Sequence, residues 1–327
     1  MKIMLFGTRA DREVREDTSL EGQSNFWGLH QDKTLQIKMK FNTALAALLL
    51  PIVILSCGKA EGRAKMIQNK GSDTLVNVAQ AWSENYREVN PSVAIVVGGG
   101  GSGTGISAMI NGTVDIANAS RSMKESELAA ARANGIDPIE WIVGYDALAV
   151  YVHADNPIES ISLEQLASIY GEHGEATTWS ELGIKIPGLN DDKIVRVSRQ
   201  NNSGTYAYFR DTVLGKEGKY KLGTLDMHGS KDVVDLCEKT PGAIGYSGLA
   251  YATDHVRLVP VLDSNGKPVI PTVATAADRT YPIARPLFMY TAGQPEGDIK
   301  LYLDWILSEE GQRIILNKGY APVIDIK

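Results

Sequence analysis

Runs of apolar residues alternate with amphipathic stretches along the chain from about residue 65 onward. The stretch "SVAIVVGGG" (92–100) is apolar at successive positions, which predicts a buried strand of a parallel sheet. The stretch "DTLVNVAQAWSENYREV" (73–89) repeats its apolar residues at helical spacing. The face predicted to be buried consists of Leu75, Val78, Ala79, Trp82 and Tyr86.

The same alternation continues to the C-terminal end. Strands are predicted in "KMIQNKGSDT", "VDIANAS", "IEWIVGYDALAVYVH", "KIVRVSRQ", "AIGYSG", "RLVPVL" and "RPLFMYT". Helices are predicted in "GISAMING", "ESELAAARANG", "SLEQLASIYG", "GTYAYFRDTVL" and, as a pair, in "GDIKLYLDWILSEEGQRIILNKG". This order predicts an α/β fold with parallel sheets. Since no long linker is visible, two lobes would have to be joined by strands that cross between them.

Residues 39–56 have the pattern of a signal peptide: Met39 and Lys40, an apolar run, and Ser56 before Cys57. The apolar core of about a dozen residues is too short to span a bilayer as a helix. The residues before Cys57 resemble a bacterial lipobox, which implies that Cys57 is lipidated and anchors the mature chain in the lipid bilayer. The alternative is a buried N-terminal helix with an incidental cysteine.

The two segments that flank this signal carry no predicted fold. Residues 1–38 are polar and charged, and we interpret them as upstream sequence ahead of a true start at Met39. Residues 57–65 are interpreted as a short tether.

Composition narrows the class of partner. The chain has 327 residues, 43% of them hydrophobic, and a formal net charge of −6, which predicts a globular protein of about two domains. Nucleic acid is excluded as a partner, because no Lys/Arg-rich tract offers phosphate-neutralising charge. An anion bound here would be held by local dipoles and a few placed charges.

Three turns between a strand and a helix share one design. They read "KGSDTLVN", "GGGGSGTGIS" and "RQNNSGTYAYF", and each places a hydroxyl residue and a glycine at the helix entry. The first N–H groups of a helix lack intrahelical partners, and the macrodipole makes this end partly positive. Glycine opens the approach, so the pattern is typical of an oxyanion site. For any single turn, ordinary N-capping remains the alternative.

Two arginines are candidate charges for such a site. Arg199 precedes Ser203 by four residues and could offer a bidentate guanidinium. Arg121 follows a predicted strand in "NASRSM", and a plain surface side chain is its alternative.

Enzymatic interpretations of the glycine loop lack their partner residues. Gly98, Gly100 and Gly103 match G-x-G-x-x-G, but the next predicted strand does not end in the acid that a dinucleotide site requires. The loop also has no lysine for a Walker A motif and no G-x-S-x-G elbow. The five histidines lie in unrelated contexts, so no triad or metal site is predicted. We therefore predict no enzyme activity, no cofactor and no metal.

With these motifs in order, residues 66–327 resemble the phosphate-binding proteins of bacterial ABC-type phosphate importers. "KGSDTL", "GGGGSGTGI" and "SRQNNSGTYAYF" resemble the family's three phosphate loops. Four more stretches match recurrent segments in the same order: "SLEQLASIYGEHGEATTWSELG", "TPGAIGYSGLAYA", "TYPIARPLFMYT" and "LSEEGQRIILNKGYAPV".

The resemblance implies a two-lobed periplasmic-binding-protein fold of type II, each lobe a mostly parallel sheet flanked by helices, with a strand hinge. Lobe 1 would comprise 66–145 plus 285–327, and lobe 2 would comprise 146–284. The partners implied are inorganic phosphate in the cleft and the membrane subunits of an ABC importer, which would read the closed form.

The resemblance also implies the residues of the site. Arg199 would be the main charge, Ser120 would lie nearby, and Gly103 and Gly105 would serve backbone conformation. The phosphate oxygens would be held by Ser72, Thr74, Leu75, Ser102, Ser203, Gly204 and Thr205.

Arg121 departs from the family pattern, in which some members carry Ser-Asp where this chain has Ser120-Arg121. In those members the aspartate accepts a hydrogen bond from protonated phosphate and repels sulfate. Selectivity for phosphate over sulfate therefore does not carry over by this route, unless Asp73 or another acid replaces it. If Arg121 and Arg199 dominate, dianionic phosphate should be preferred and binding should weaken as the pH falls.

Three functions follow from these observations. The first is a lipid-anchored, extracytoplasmic phosphate receptor that feeds an importer. The second is a phosphate-binding sensor or surface protein without a transport partner. The third is a nucleotide-dependent oxidoreductase or phosphatase-like enzyme that uses the Gly98–Gly103 loop, which the missing acid and missing nucleophile–base pair disfavour.

Overall fold

The computed structural model describes residues 65–326. The interpretations of 1–38 as upstream sequence, of 39–56 as a signal peptide and of Cys57 as a lipidation site all lie outside the described residues. So does the tether, except for its last residue.

The strands of the described residues form a nine-stranded sheet and a two-stranded one. The order across the large sheet is β2-β1-β3-β11-β4-β7-β5-β6, with β8 also paired to β4, while β9 and β10 pair with each other. The strands are β1 (Lys65–Gly71), β2 (Val93–Gly98), β3 (Ile116–Ala119), β4 (Ile139–His153), β5 (Val195–Arg199), β6 (Leu225–Met227), β7 (Ala243–Gly248), β8 (Val256–Val259), β9 (Val261–Leu262), β10 (Pro268–Val269) and β11 (Ala284–Thr291).

One long strand, β4, joins the two halves of the large sheet. Residues 139–147 of β4 pair with β11, and residues 148–152 of the same strand pair with β7. We call β1, β2, β3, β11 and the N-terminal part of β4 the first half, and β5 to β8 with the C-terminal part of β4 the second half. The outer strands are parallel, as the sequence predicts, while β4 and β11 run antiparallel to their neighbours.

Helices cover both faces of each half, which is what an α/β sheet needs to remove its apolar faces from water. The helices are α1 (Val76–Val89), α2 (Ser102–Ile110), α3 (Glu125–Ala133), α4 (Leu163–Tyr170), α5 (Gly204–Phe209), α6 (Ser230–Lys239), α7 (Val273–Ala277), α8 (Gly297–Ile306) and α9 (Glu309–Asn317). In the first half, α1, α8 and α9 pack on one face, and α2 and α3 pack on the other. None of the helices in 65–326 is long and apolar enough to cross a membrane.

The predicted face of α1 is confirmed. Leu75, Val78, Ala79 and Trp82 are fully buried, and Tyr86 is 2% exposed. Trp82 also donates its indole N–H to the carbonyl oxygen of Gly311 at 2.7 Å, which fastens α1 to α9. The helical period therefore identified the core of the first half correctly.

The prediction for β2 as a fully buried strand is wrong. This strand lies at the edge of the sheet, where it pairs only with β1, and Val96 is 42% exposed. An apolar run reports hydrophobicity but not position within a sheet, so an edge strand and a central strand look alike in sequence.

Candidate functional site

Four hydroxyl side chains from the three predicted turns and a fifth from the end of β3 meet between the two halves of the sheet, and we call them the hydroxyl cluster. Each is at most 2% exposed. The members are Ser72, Thr74, Ser102, Ser120 and Thr205.

The order of the strands brings the cluster together. Ser72 follows β1 and Ser120 follows β3, and these strands are parallel neighbours, so their carboxyl ends meet at one edge. Ser72 donates its hydroxyl to Ser120 Oγ at 2.9 Å, and the backbone N–H of Ser120 donates to Ser102 Oγ at 3.0 Å. Across the halves, the hydroxyls of Thr74 and Thr205 lie 3.1 Å apart.

Arg285, from β11, is the charge at the centre of this cluster. Its Nη2 donates to the hydroxyl oxygens of Thr74 and Thr205 at 3.2 and 3.1 Å. Its Nη1 donates to the carbonyl oxygen of Ser120 at 3.2 Å. The ring of Tyr208 lies under the guanidinium, 5.8 Å from centroid to Cζ. One buried side chain thus touches hydroxyl residues from both halves.

Asp146, from β4, holds Arg285 in place. The Arg285 Nε and Nη2 donate to Asp146 Oδ2 at 3.1 and 2.8 Å, and both side chains are fully buried. Burial raises the pKa of Asp146, because the charged carboxylate has lost its water, while the attraction of Arg285 opposes that rise. A guanidinium that is buried and shared in this way has little freedom to reorient.

Arg199, at the end of β5, is buried beside the cluster, where its guanidinium has protein partners. It forms an ion pair with Asp73 of the first half at 2.7 Å and donates to Ser230 Oγ at 2.9 Å. It also donates to the carbonyl oxygens of Met227 and His228. Burial lowers the pKa of Arg199, and the charge of Asp73 opposes this effect.

The third turn combines capping with close approach. The hydroxyl of Ser203 accepts from the backbone N–H groups of Thr205 and Tyr206, so it caps α5 in the ordinary way. Gly204 has the tighter requirement, since an added Cβ would lie 2.2 Å from Ser102 Oγ and 2.6 Å from Ser120 Oγ. A glycine is needed there for the two halves to meet.

Leu75, Gly103 and Gly105 have other partners than expected. Leu75 buries its side chain in the core, and its N–H donates to the carbonyl oxygen of Ser72 at 3.0 Å. Gly103 and Gly105 lie within α2, and for Gly105 an added Cβ would fall 2.3 Å from the carbonyl oxygen of Lys70. The two glycines allow the start of α2 to pack closely against its neighbours. This role replaces the expected one, which was a special backbone conformation.

Arg121 also differs from the expectation. Its guanidinium donates to both carboxylate oxygens of Glu127 at 2.8 and 2.7 Å and to the carbonyl oxygen of Ser122. The pKa of Glu127 is lowered: burial opposes the shift, but Arg121 and the N–H of Lys124 stabilise the carboxylate more strongly. Arg121 therefore completes the start of α3, and its hydrogen bonds go to Glu127 and Ser122 rather than to the hydroxyl cluster.

Sequence reasoning missed Arg285 and Asp146, although a signal was present. Arg285 is the lone charge in the apolar strand "RPLFMYT". Asp146 lies in the middle of the apolar strand "IEWIVGYDALAVYVH", whose other acidic residue is a Glu near its start. Charges in buried strands need partners of opposite sign. Two such strands in one sheet predict a buried ion pair.

The chemistry of this arrangement is that of oxyanion binding. Hydroxyls and guanidinium groups can all donate to an anion, and burial strengthens such bonds. The histidines of the described residues lie outside the cluster, and no group of metal-ligating side chains occurs within 65–326.

The comparisons with known proteins agree with this chemistry. A family model for the PBP superfamily domain matches residues 58–310. The phosphate-binding protein PstS of Bacillus subtilis is 36% identical over 79% of this chain and 80% of that protein. PstS of Pseudomonas aeruginosa is 33% identical over 81% of this chain and 85% of that protein. A crystal structure of a substrate-binding protein with bound phosphate from Clostridium perfringens superposes with a TM-score of 0.70 at 30% identity, over 80% of this chain and 100% of that one. The chain therefore belongs to the PBP superfamily and, within it, to the PstS-like family of solute-binding proteins.

Proposed function

We propose that this chain captures inorganic phosphate between the two halves of its sheet and delivers it to an ABC importer. The observation that carries the proposal is the contact of Arg285 with hydroxyl residues from both halves. An anion at this point would receive hydrogen bonds from side chains of both halves at once, so that binding and closure reinforce each other. The names of the relatives in Bacillus subtilis and Pseudomonas aeruginosa support phosphate as the ligand.

The binding residues follow from the same geometry. We propose that phosphate is held by Ser72, Thr74, Ser102, Ser120, Ser203, Gly204 and Thr205, with Arg285 and Arg199 as the charges. The backbone N–H of Leu75 would donate to phosphate only after its hydrogen bond to the carbonyl oxygen of Ser72 is broken. Arg121 takes a supporting role through the start of α3.

We infer two moving bodies with the boundaries that the sequence suggests, 66–145 plus 285–327 and 146–284. The inference is supported by β4, which changes its partner strand from β11 to β7 between residues 147 and 148, and by the start of β11 at Ala284. The apolar clusters lie mostly within one body each, although Tyr145 and Ala321 join the largest cluster of the second body and Ala250 packs against a cluster of the first.

We propose an extracytoplasmic location, anchored to the cell membrane or facing the periplasm as a lipoprotein, with lipidated Cys57 as the anchor. Cys57→Ala should release the protein from the membrane fraction into the soluble fraction and abolish incorporation of labelled palmitate. Retention of Cys57→Ala in the membrane would contradict the anchor while leaving phosphate binding untouched.

Calorimetric titration of the full chain, stripped of bound anion, tests the ligand. We expect saturable binding of phosphate, and a parallel titration with sulfate measures the selectivity of the site. Comparable binding of both anions would make the chain a general oxyanion receptor, and no heat with either would refute the proposal.

The pH dependence of binding tests the charge balance of the site. Because Arg199 and Arg285 each have an aspartate partner, they do not dominate the site as unpaired charges would. We therefore expect phosphate affinity to change by less than about tenfold across the second ionisation of phosphate. A steeper loss on the acidic side would show that the dianion alone is bound.

Delivery to an importer is tested in cells. A strain that lacks this chain should lose high-affinity phosphate uptake and recover it with the wild-type chain. Unchanged uptake, together with intact phosphate binding, would favour the sensor or surface-protein role.

A further inference from the structure

The glycine loop that joins β2 to α2 contacts a residue of the other half, Asn202. The side-chain Nδ2 of Asn202 donates to the carbonyl oxygen of Gly100 at 2.9 Å and to Thr104 Oγ1 at 3.4 Å. In return, the backbone N–H of Gly103 donates to the carbonyl oxygen of Asn202 at 2.9 Å. We call these three hydrogen bonds the Asn202 bridge.

The glycines of this loop make room for Asn202. At Gly101, which has a φ of +90°, an added Cβ would lie 2.6 Å from the carbonyl oxygen of Asn202. At Gly103 the same oxygen would be 3.2 Å away. The space that a side chain would need at these two glycines is filled by the backbone of Asn202 from the opposite half.

The bridge lies between residues that the proposed function assigns to phosphate. On one side it holds the loop that carries Ser102, and on the other it holds the turn that carries Ser203, Gly204 and Thr205. Asn202 itself donates to none of these side chains; its three bonds end on the glycine loop and Thr104.

We propose that Asn202 is a positioning residue for anion binding, which fastens the third turn to the glycine loop when the two halves close. The proposal rests on the proposed function, since it requires an open and a closed form. The bridge exists only when the halves are together, so it stabilises the closed form without touching the anion. The bridge raises the apparent affinity for phosphate, because phosphate binds more tightly when the closed form is already favoured.

Asn202→Ala and Asn202→Leu test the bridge, with Asn201→Ala and Asn201→Leu as matched controls. Leucine keeps the size and branching of asparagine but cannot donate. Asn201 is the adjacent asparagine and is exposed. Phosphate affinity is measured by calorimetry, dissociation by stopped-flow, and closure by small-angle X-ray scattering of the full chain with and without phosphate.

For both Asn202 variants we expect phosphate affinity to fall by about tenfold, mostly through faster dissociation. In the absence of phosphate, scattering should give the Asn202 variants a larger radius of gyration than the wild type. Both Asn201 variants should match the wild type. The rate of dissociation is the readout that separates positioning from a general loss of structure, because the thermal midpoint of the anion-free protein should fall by no more than the loss of the bridge itself accounts for.

Asn202 variants that match the Asn201 variants in affinity and dissociation rate would overturn the bridge while leaving the proposed function intact. If the wild type binds no phosphate, the proposed function fails instead. In that case the scattering of anion-free wild type and Asn202 variants still decides the bridge, since equal radii would refute it.

Discussion

Two arginine–carboxylate pairs of this protein have the same chemistry, but one is buried at the hydroxyl cluster and the other is partly exposed at the start of a helix. Arg285 and Asp146 are fully buried where the halves of the sheet meet, and Arg285 also donates to the hydroxyl cluster. Arg121 and Glu127 are 9% and 20% exposed at the start of α3. Arg121 is next to Ser120 in sequence, whereas Arg285 is distant from every turn. The comparison teaches that a charge next to a cluster residue in sequence need not bond to the hydroxyl cluster, whereas a distant one can.

The sharpest test of this comparison is Arg285→Gln. We expect phosphate affinity to fall by more than about a hundredfold, because Arg285 orders residues of both halves. The free energy of unfolding should fall by about 3–5 kcal/mol, since Asp146 is left as a buried unpaired charge. Calorimetry and urea unfolding measure the two effects.

The double variant Arg285→Gln/Asp146→Asn separates binding from stability. It should recover most of the unfolding free energy, because no unpaired charge remains, but it should not recover phosphate binding. Full recovery of binding would show that Arg285 acts only through stability.

Arg199→Gln should have an intermediate effect. The variant loses the ion pair with Asp73 and the bonds to Met227, His228 and Ser230. We expect affinity to fall by roughly tenfold to a hundredfold, in keeping with the loss of charge-assisted hydrogen bonds. Calorimetry that showed a smaller loss than Arg121→Gln would reverse the ranking of the charges.

Arg121→Gln should change phosphate affinity by less than about threefold, because its guanidinium is bound to Glu127. Stability should fall by about 1 kcal/mol. Glu127→Gln is the control, and it should show the same loss of stability. Abolished binding in Arg121→Gln with intact binding in Glu127→Gln would return Arg121 to the site.

The smallest expected effect is on the pH dependence of unfolding. The pKa of Glu127 is lowered in the folded protein, so its pair with Arg121 contributes stability above the ordinary glutamate pKa of 4.5. That contribution is lost as the pH falls through the lowered value. Urea unfolding of wild type and Glu127→Gln should differ by up to about 1 kcal/mol at neutral pH and converge in acid. A constant difference across this range would mean that the ion pair is not its source.

Much of the fold followed from local patterns. The helical period identified the buried face of α1, and the predicted strand and helix stretches correspond to the elements of both halves. The three turns were found because a hydroxyl residue and a glycine at a helix entry form a local signal. The edge position of β2 was missed, because an apolar run does not encode which neighbours a strand has.

By itself, the sequence determined the family, the strand–helix order and the hydroxyl residues that meet in the cluster, since each of these depends on short stretches of chain. Only the tertiary structure decided which charges join them. Arg285 and Asp146 meet because β4 and β11 are paired, and Asn202 reaches the glycine loop because the two halves are close. Pairing between distant strands is set by packing of the whole sheet, and a buried charge goes where that packing supplies its partner.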